Sequence, residues 1–137
     1  MIETEITPVG LTRDTGWELG ARRTVAAPLG AVWSHLIGAG LPTWLGDATL
    51  PHEPKASYRT ADGTIGELRV FTPERRLRLT WRPDGWTHDS TLQLTVVAAA
   101  SGTTIGIHQE RLASEAERTE LLAHWHAVLD RLEAELA

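Results

Sequence analysis

The hydrophobic pattern of this chain changes its period near residue 114. From there to the C-terminus, apolar side chains recur every three or four residues, which is the spacing of one face of an α-helix. Ser114 and Glu117 have the spacing of a capping box at the start of such a helix. The pattern therefore predicts an amphipathic C-terminal helix of about 22 residues, roughly 33 Å long. Its apolar stripe consists of Leu121, Trp125, Leu129, Leu132 and Leu136.

Most of the chain before residue 114 alternates apolar and polar side chains with a period of two, which is typical of half-buried strands. Strands are predicted over residues 17–26, 55–61, 64–72, 76–82, 89–98 and 103–112. Short turns rich in glycine, proline and aspartate separate the later strands, as at residues 62–63 and 83–85. Turns of hairpin length join neighbouring strands of antiparallel sheets, so six antiparallel strands are expected.

Two short helices are predicted after the first strand. Pro28 suits a helix start, and Val32, Trp33 and Leu36 then share one helical stripe. Glycines at residues 38 and 40 interrupt this helix, and residues 41–45 (LPTWL) predict a second one. The expected fold class is α+β, with a curved six-stranded antiparallel sheet wrapped around the long C-terminal helix. Residues 1–137 are expected to form one domain, since a single core serves chains of up to roughly 250 residues.

The composition excludes several classes of function. The chain has no cysteine, which excludes disulfides, thiolate metal sites and a cysteine nucleophile. Its net charge of -5, with no segregated basic face, disfavours nucleic-acid binding. No apolar run approaches the roughly 20 residues that span a bilayer, and residues 1–6 do not resemble a secretory signal. We therefore expect a cytoplasmic protein that binds neither nucleic acid nor membranes.

Several short motifs follow one another in an order known from one superfamily. They are residues 23–28 (RTVAAP), 32–33 (VW), 44–46 (WLG), 66–70 (GELRV), 73–81 (PERRLRLTW) and 124–125 (HW). With this order of elements, the chain resembles the SRPBCC superfamily, also named START-like or Bet v 1-like. More narrowly, it resembles the branch homologous to the activator of Hsp90 ATPase. The resemblance extends from about residue 17 to residue 136.

The resemblance implies a helix-grip fold with a cavity between the concave sheet and the C-terminal helix. Members of the superfamily bind lipids, sterols, polyketides or other apolar molecules, and some are cyclases or other enzymes. The family has no universal catalytic residue, so membership of the fold does not transfer an activity.

The inward phase of the strands and the helix stripe predict which side chains would line such a cavity. The lining is mostly apolar, and its polar members would orient a carbonyl, hydroxyl or carboxylate of a ligand. Alternatively, these side chains fill the space as a solid core, with Arg23 paired to a carboxylate at a sheet edge and Gln109 bonded to backbone. The predicted ligand-binding residues are Arg23, Trp44, Tyr58, Leu68, Val70, Leu79, Trp81, Leu94, Ile107, Gln109, Leu122, Trp125 and Leu129.

Candidate catalytic and metal-ligating groups do not converge in the sequence. His108 and Glu110 lie two apart on a strand and face outward together, which predicts a solvated cross-strand pair. His124 and His126 diverge by about 200° around the helix. We therefore expect neither a metal site nor a cofactor. Trp86, at a turn, is predicted at the surface, where it shields the cavity entrance or marks a dimer contact.

These patterns favour a binding protein that holds a small hydrophobic molecule, lipid- or polyketide-like, between sheet and helix. Two alternatives stay open. One is a cofactor-independent enzyme, such as a cyclase, dehydratase or hydrolase, that uses Gln109, Arg23 and Tyr58 as orienting or acid–base groups. The other is a protein-interaction or co-chaperone-like module that uses the outer face of the sheet and Trp86. The expected partner is a small apolar molecule, and a homodimer is compatible with the sequence.

Overall fold

The computed structural model describes residues 9–12 and 16–137; residues 1–8, including the segment compared with a secretory signal, and residues 13–15 lie outside the described residues. All paired strands are antiparallel, in the spatial order β1-β2-β7-β6-β5-β4-β3. The predicted α+β helix-grip class is thereby confirmed. The elements are β1 (Leu11–Thr12), β2 (Gly16–Val25), α1 (Leu29–Ile37), α2 (Leu41–Trp44), β3 (Ser57–Arg59), β4 (Ile65–Thr72), β5 (Arg76–Trp81), β6 (Ser90–Ala99), β7 (Gly102–Leu112) and α3 (Glu115–Leu136).

The described part of the sheet has seven strands, one more than the sequence predicts. The additional strand is β1, in which Leu11 pairs with Trp17 and Thr12 pairs with Gly16. A strand of two residues is too short to display a period of two, so hydrophobic patterning does not reveal it.

Helix α3 begins at a cap formed by its own first turn. The Ser114 Oγ accepts a hydrogen bond from the Glu117 backbone N–H at 3.1 Å, and the Glu117 carboxylate accepts one from the Ala113 backbone N–H at 3.1 Å. The helix contacts β2 and β7 of the sheet. Its buried side chains are Leu121, Trp125, Val128, Leu129 and Leu132. Each large apolar side chain that is fully buried contributes roughly 1.5 to 3 kcal/mol, so this face anchors the helix. No helix within the described residues combines the length and the apolar character needed to cross a membrane.

A β-bulge in β4 changes which side chains face α3. The register with β5 shifts by one residue between Leu68 and Val70, and Val70 then lies opposite Arg78 on the outer face of the sheet. The prediction that Val70 faces inward is therefore wrong, because the extra residue reverses the alternation of side chains. Phe71 takes the inward position instead and packs edge-on against Trp33, with ring centroids 5.6 Å apart.

The C-terminal half of α3 is bound to the two short helices. Thr43 donates a hydrogen bond to Glu135 at 2.6 Å, and the His35 Nε2 lies 2.6 Å from the other oxygen of the same carboxylate. Burial alone would raise the pKa of Glu135, but the hydrogen bonds from Thr43 and His35 outweigh it, so the pKa is lowered. In addition, the Trp44 Nε1 donates to the Leu36 carbonyl at 2.7 Å, which joins α2 to α1.

Candidate functional site: the tryptophan pocket

A pocket with a volume of about 470 Å³ lies where the turn between β5 and β6 faces the N-terminal half of α3. Trp81 is the last residue of β5, and Trp86 lies in the turn that follows it. We term this site the tryptophan pocket. It is lined by Trp81, Pro83, Trp86, Ser114, Ala116, Glu117, Glu120, Leu121 and His124. Its volume falls within the range of ordinary small-molecule sites, about 300 to 1,000 Å³.

The rings of the two tryptophans in the pocket are nearly perpendicular to each other. The ring centroids of Trp81 and Trp86 are 5.4 Å apart, with 83° between the ring planes. The His88 ring also stacks on Trp86, with ring centroids 4.5 Å apart. The Arg82 Nε donates a hydrogen bond to the Trp86 carbonyl at 3.1 Å. These contacts fix the turn, so the aromatic wall is formed before any ligand arrives.

A buried chain of hydrogen bonds lies behind Trp81. The Gln109 side chain is fully buried; its Oε1 accepts from the Trp125 Nε1 at 2.8 Å, and its Nε2 donates to the Ser90 Oγ at 3.0 Å. The Ser90 hydroxyl in turn donates to the Trp81 carbonyl at 2.7 Å. The alternative in which Gln109 bonds to backbone is therefore wrong, since both ends of its amide bind side chains.

The indole N–H of Trp81 is not satisfied. Trp81 is 8% exposed, and its Nε1 is the one buried side-chain nitrogen or oxygen without a hydrogen-bond partner in the part of the chain that the structure describes. A buried donor without a partner costs roughly 1 to 3 kcal/mol. The wall of the tryptophan pocket thus includes a ring that lacks an acceptor.

The ionisable groups of the pocket make it acidic. Glu117 pairs with the His88 Nε2 at 3.0 Å, whereas Glu120 is exposed and makes no hydrogen bond or ion pair with the described residues. The His124 ring packs edge-on against Trp125, with centroids 4.7 Å apart. Burial, and then the charge of Arg131, lower the pKa of His124. The neutral form of His124 is favoured, so the carboxylates dominate the charge of the pocket.

The apolar residues predicted to line a cavity form the centre of the interface between sheet and α3. A side chain without accessible surface borders no space wide enough for a water molecule, so these residues pack directly against their neighbours. Leu68, Leu79, Leu94, Trp125 and Leu129 have no accessible surface, and Ile107 is 2% exposed. Leu122 is partly buried, and Trp44 is buried in α2. Of the predicted set, Trp81 lines the tryptophan pocket.

The predicted polar residues Arg23 and Tyr58 are bound to other parts of the protein. Arg23 pairs with Asp130 at 2.8 Å and with Glu133 at 3.0 Å, and the hydrogen bond to Asp130 raises the pKa of the guanidinium. Its partner carboxylates lie on α3, not at a sheet edge as the alternative interpretation has it. The Tyr58 hydroxyl donates to the Thr80 carbonyl at 2.6 Å. Burial raises the pKa of Tyr58, so its hydroxyl keeps its proton.

Glycine at position 66 makes room for Tyr58. The two residues are paired across β3 and β4, and a Cβ atom at Gly66 would lie 2.6 Å from the Tyr58 ring and 1.9 Å from the Thr80 carbonyl oxygen. A side chain at position 66 would therefore displace the tyrosine from the carbonyl that it binds.

His108 and Glu110 face outward from the sheet, as predicted. His108 lies opposite Gln93, and its Nε2 is 3.6 Å from Glu18. Glu110 is not solvated, however, since it is 8% exposed and forms an ion pair with Arg78. The ligand atoms of Glu18, His108 and Glu110 lie within 4.8 Å of one another, so these residues could hold a cation. Arg78 already neutralises Glu110, which disfavours a metal ion there.

None of the pocket residues on α3 belongs to the predicted ligand-binding set, although the sequence contains a pattern for them. Positions 117, 120, 121 and 124 have the i, i+3, i+4, i+7 spacing of one helical face. Leu121 belongs to the apolar stripe, whereas the charged residues Glu117 and Glu120 lie beside that stripe, and hydrophobic periodicity does not mark such positions as a binding site. Recognising it needs the position of Trp86, which the hydrophobic pattern does not give.

Comparison with known proteins identifies the family. Residues 42–137 match the family model of the activator of Hsp90 ATPase homolog 1-like protein, which covers more than half of the chain. The chain belongs to this family. The matched segment includes all residues that line the tryptophan pocket. No curated protein matches the sequence.

Solved structures similar to this family member share its fold. DynU16, from the dynemicin biosynthetic locus, has a TM-score of 0.76 and 23% identity, covering 87% of this chain and 46% of DynU16. This chain thus spans about half of DynU16. CalU16 from Micromonospora echinospora has a TM-score of 0.77 and 22% identity, covering 89% and 78% of the two chains. MLL2253 from Mesorhizobium loti has a TM-score of 0.73 and 15% identity, covering 85% and 94%.

Proposed function

We propose that this protein binds a small organic molecule in the tryptophan pocket, with the apolar body of the ligand between the two tryptophans and α3. The observation that carries this proposal is an open pocket of ligand size, walled by Trp81 and Trp86, at the edge of an otherwise packed interface. A helix-grip fold is compatible with ligand binding. Small-molecule sites are typically concave, with aromatic and apolar walls beside polar groups that orient the ligand, and this pocket combines two tryptophan rings with ionisable side chains.

The surroundings of Trp81 support binding in two ways. The hydrogen bonds through Ser90 and Gln109 hold its backbone and the neighbouring Trp125, so little ordering is needed when a ligand enters. The rings of Trp81 and Trp86 also meet at 83°, so they offer two apolar surfaces to the body of a ligand.

The residues predicted from the sequence have two roles in this proposal. Trp81 contacts the ligand, whereas Gln109 and Trp125 support the pocket from behind. Most of the other predicted residues belong to the packed core, whereas Val70 lies on the outer face of the sheet. Among the structural relatives, DynU16 belongs to a biosynthetic locus, which supports a small organic molecule as the class of ligand.

A titration with Nile red, an uncharged dye whose emission rises in apolar surroundings, tests the proposal. We expect saturable binding to the wild-type protein and a loss of affinity of about tenfold or more in Trp86→Ala, since a central aromatic contact is removed. Trp17→Ala is the matched control, because Trp17 is also partly buried but does not line the pocket. Equal affinities in the wild type and Trp86→Ala would show that the dye binds elsewhere and would refute the proposed site.

A further inference from the structure

We propose that the ligand of the tryptophan pocket is an organic cation that carries an alkylated ammonium group. This inference rests on the proposed function, because it assigns a ligand class to the same pocket. It depends on the combination of two tryptophan rings with carboxylates that lie on the facing helix.

The charge of the pocket favours a cation. Glu120 is exposed and has no partner among the described residues, so its carboxylate is available to a ligand. Glu117 adds a second carboxylate, which His88 offsets in part. His124 contributes little positive charge near neutral pH because its pKa is lowered. Neither arginine nor lysine belongs to the described lining.

The aromatic wall favours the same class of ligand. Trp81 and Trp86 stand at 83° to each other and form a corner. A cation within about 6 Å of a ring centroid is attracted to the electron-rich face of the ring, and tryptophan gives the strongest interaction of this kind. An alkylated ammonium group also buries its carbon atoms against the rings.

An anion at the N-terminus of α3 is the main competing ligand class. The helix dipole favours negative charge at this end. However, the backbone N–H of Glu117 is already bound to Ser114, and two carboxylates on the first turns repel an anion. The local charges therefore favour a cation over an anion.

Choline and its uncharged analogue, in which carbon replaces the quaternary nitrogen, are a matched pair of probes. Both have nearly the same shape and the same hydroxyl group, so a difference in affinity reports the charge. Binding is followed by the change in tryptophan emission. We expect choline to bind about three- to tenfold more tightly than the alcohol. The preference should decrease as the ionic strength rises from about 0.01 to about 0.15 M, since screening weakens exposed charges.

Glu120→Gln separates the charge of the site from its shape. We expect choline affinity to fall about threefold in this variant and the affinity of the alcohol to remain unchanged. Glu115→Gln is the control, because Glu115 is an exposed acidic residue of the same helix start that does not line the pocket.

Equal binding of choline and the alcohol would overturn the inference and leave the proposed function intact. Binding of the alcohol or Nile red without binding of choline would likewise overturn the organic cation as ligand class and leave the proposed function intact. If none of the three probes binds in a way that depends on Trp86, the ligand class and the proposed function are both wrong.

Discussion

The two halves of α3 meet the rest of the protein in different ways. The C-terminal half covers a packed core, and its rim is fixed by polar bonds, among them the ion pair between Arg23 and Asp130 and the hydrogen bond between Thr43 and Glu135. The N-terminal half faces a turn and leaves the tryptophan pocket beside His124. The difference shows that one helix can pack tightly against the sheet at one end and leave a binding pocket at the other.

The neighbours of each half explain the contrast. The C-terminal half lies near α2, whose residues bond to it directly, and near Arg23 of β2. The N-terminal half is opposite the turn after β5, where Pro83 and Gly85 supply little side chain to fill the space. Trp86 provides most of the bulk there, but it stands at an angle to Trp81 and does not close the pocket.

Replacing Trp125, where the two halves meet, should have the largest effect. Trp125 has no accessible surface, and its Nε1 satisfies Gln109. We expect Trp125→Ala to lower the free energy of unfolding by about 3 to 5 kcal/mol, measured by chemical denaturation. Trp86→Ala, at the open end, should cost far less. Similar losses of unfolding free energy in the two variants would show that the open end is packed as tightly as the centre of the helix.

The buried amide behind the pocket should have the next largest effect. In Gln109→Leu, the Trp125 Nε1 loses its acceptor, whereas the Ser90 Oγ keeps its hydrogen bond to the Trp81 carbonyl. A buried unsatisfied group costs roughly 1 to 3 kcal/mol, so we expect a loss of stability of that order in denaturant titrations. Gln93→Leu, on the adjacent strand with its side chain on the outer face, is the control. If Gln109→Leu has the same free energy of unfolding as the wild type, the hydrogen-bond chain does not stabilise the position of Trp81.

Removing the ion pairs between Arg23 and the C-terminal half of α3 should have a small effect on stability. Arg23 is 27% exposed, and its partners Asp130 and Glu133 are more exposed still. Exposed ion pairs contribute about 1 kcal/mol or less, so Arg23→Gln should lower the unfolding free energy by no more than that. Its affinity for Nile red should match that of the wild type, because the closed half does not line the pocket. A large loss of dye binding would mean that the two halves are coupled.

The pH dependence of stability should report the environment of His124 at the open end. Burial and the charge of Arg131 lower its pKa in the folded state, so the unfolded chain binds the proton first as the pH falls below about 6.5. Stability is therefore retained above that pH and lost between it and the lowered pKa. Denaturation at about pH 7.5 and about pH 5.5 should show a larger loss for the wild type than for His124→Gln. Equal losses of stability in the two proteins would contradict a lowered pKa of His124.

The sequence predicts the regular parts of this protein well because their patterns are long. The stripe of α3 and the alternation of β5 to β7 extend over many residues, and the structure follows them. Local features override such patterns where they are short or interrupted. The bulge before Val70 reverses the face on which that residue lies, and Glu110 of β7 forms an ion pair with Arg78 of β5, two strands away. Neither the register shift nor this pairing leaves a periodic trace in the sequence.

The site is harder to predict than the fold because it depends on where a turn places a side chain. Trp81 belongs to a strand and is identified from its phase. Trp86 follows Pro83 in a turn, where no periodicity indicates a direction. Trp86 contacts Trp81, and together the two rings form a pocket with the charged helix positions opposite, including Glu120. Without the position of Trp86, nothing marks those helix positions as part of a site.

Ligand binding at the open end of α3 can be followed through the indole N–H resonances of the six tryptophans. Coumarin is a suitable probe, since it is flat and uncharged. On addition of coumarin, we predict shifts at Trp81 and Trp86, with Trp33 and Trp44 unchanged. Shifts confined to Trp17, Trp33 or Trp44, or the absence of any shift, would show that coumarin does not bind at this end of the helix.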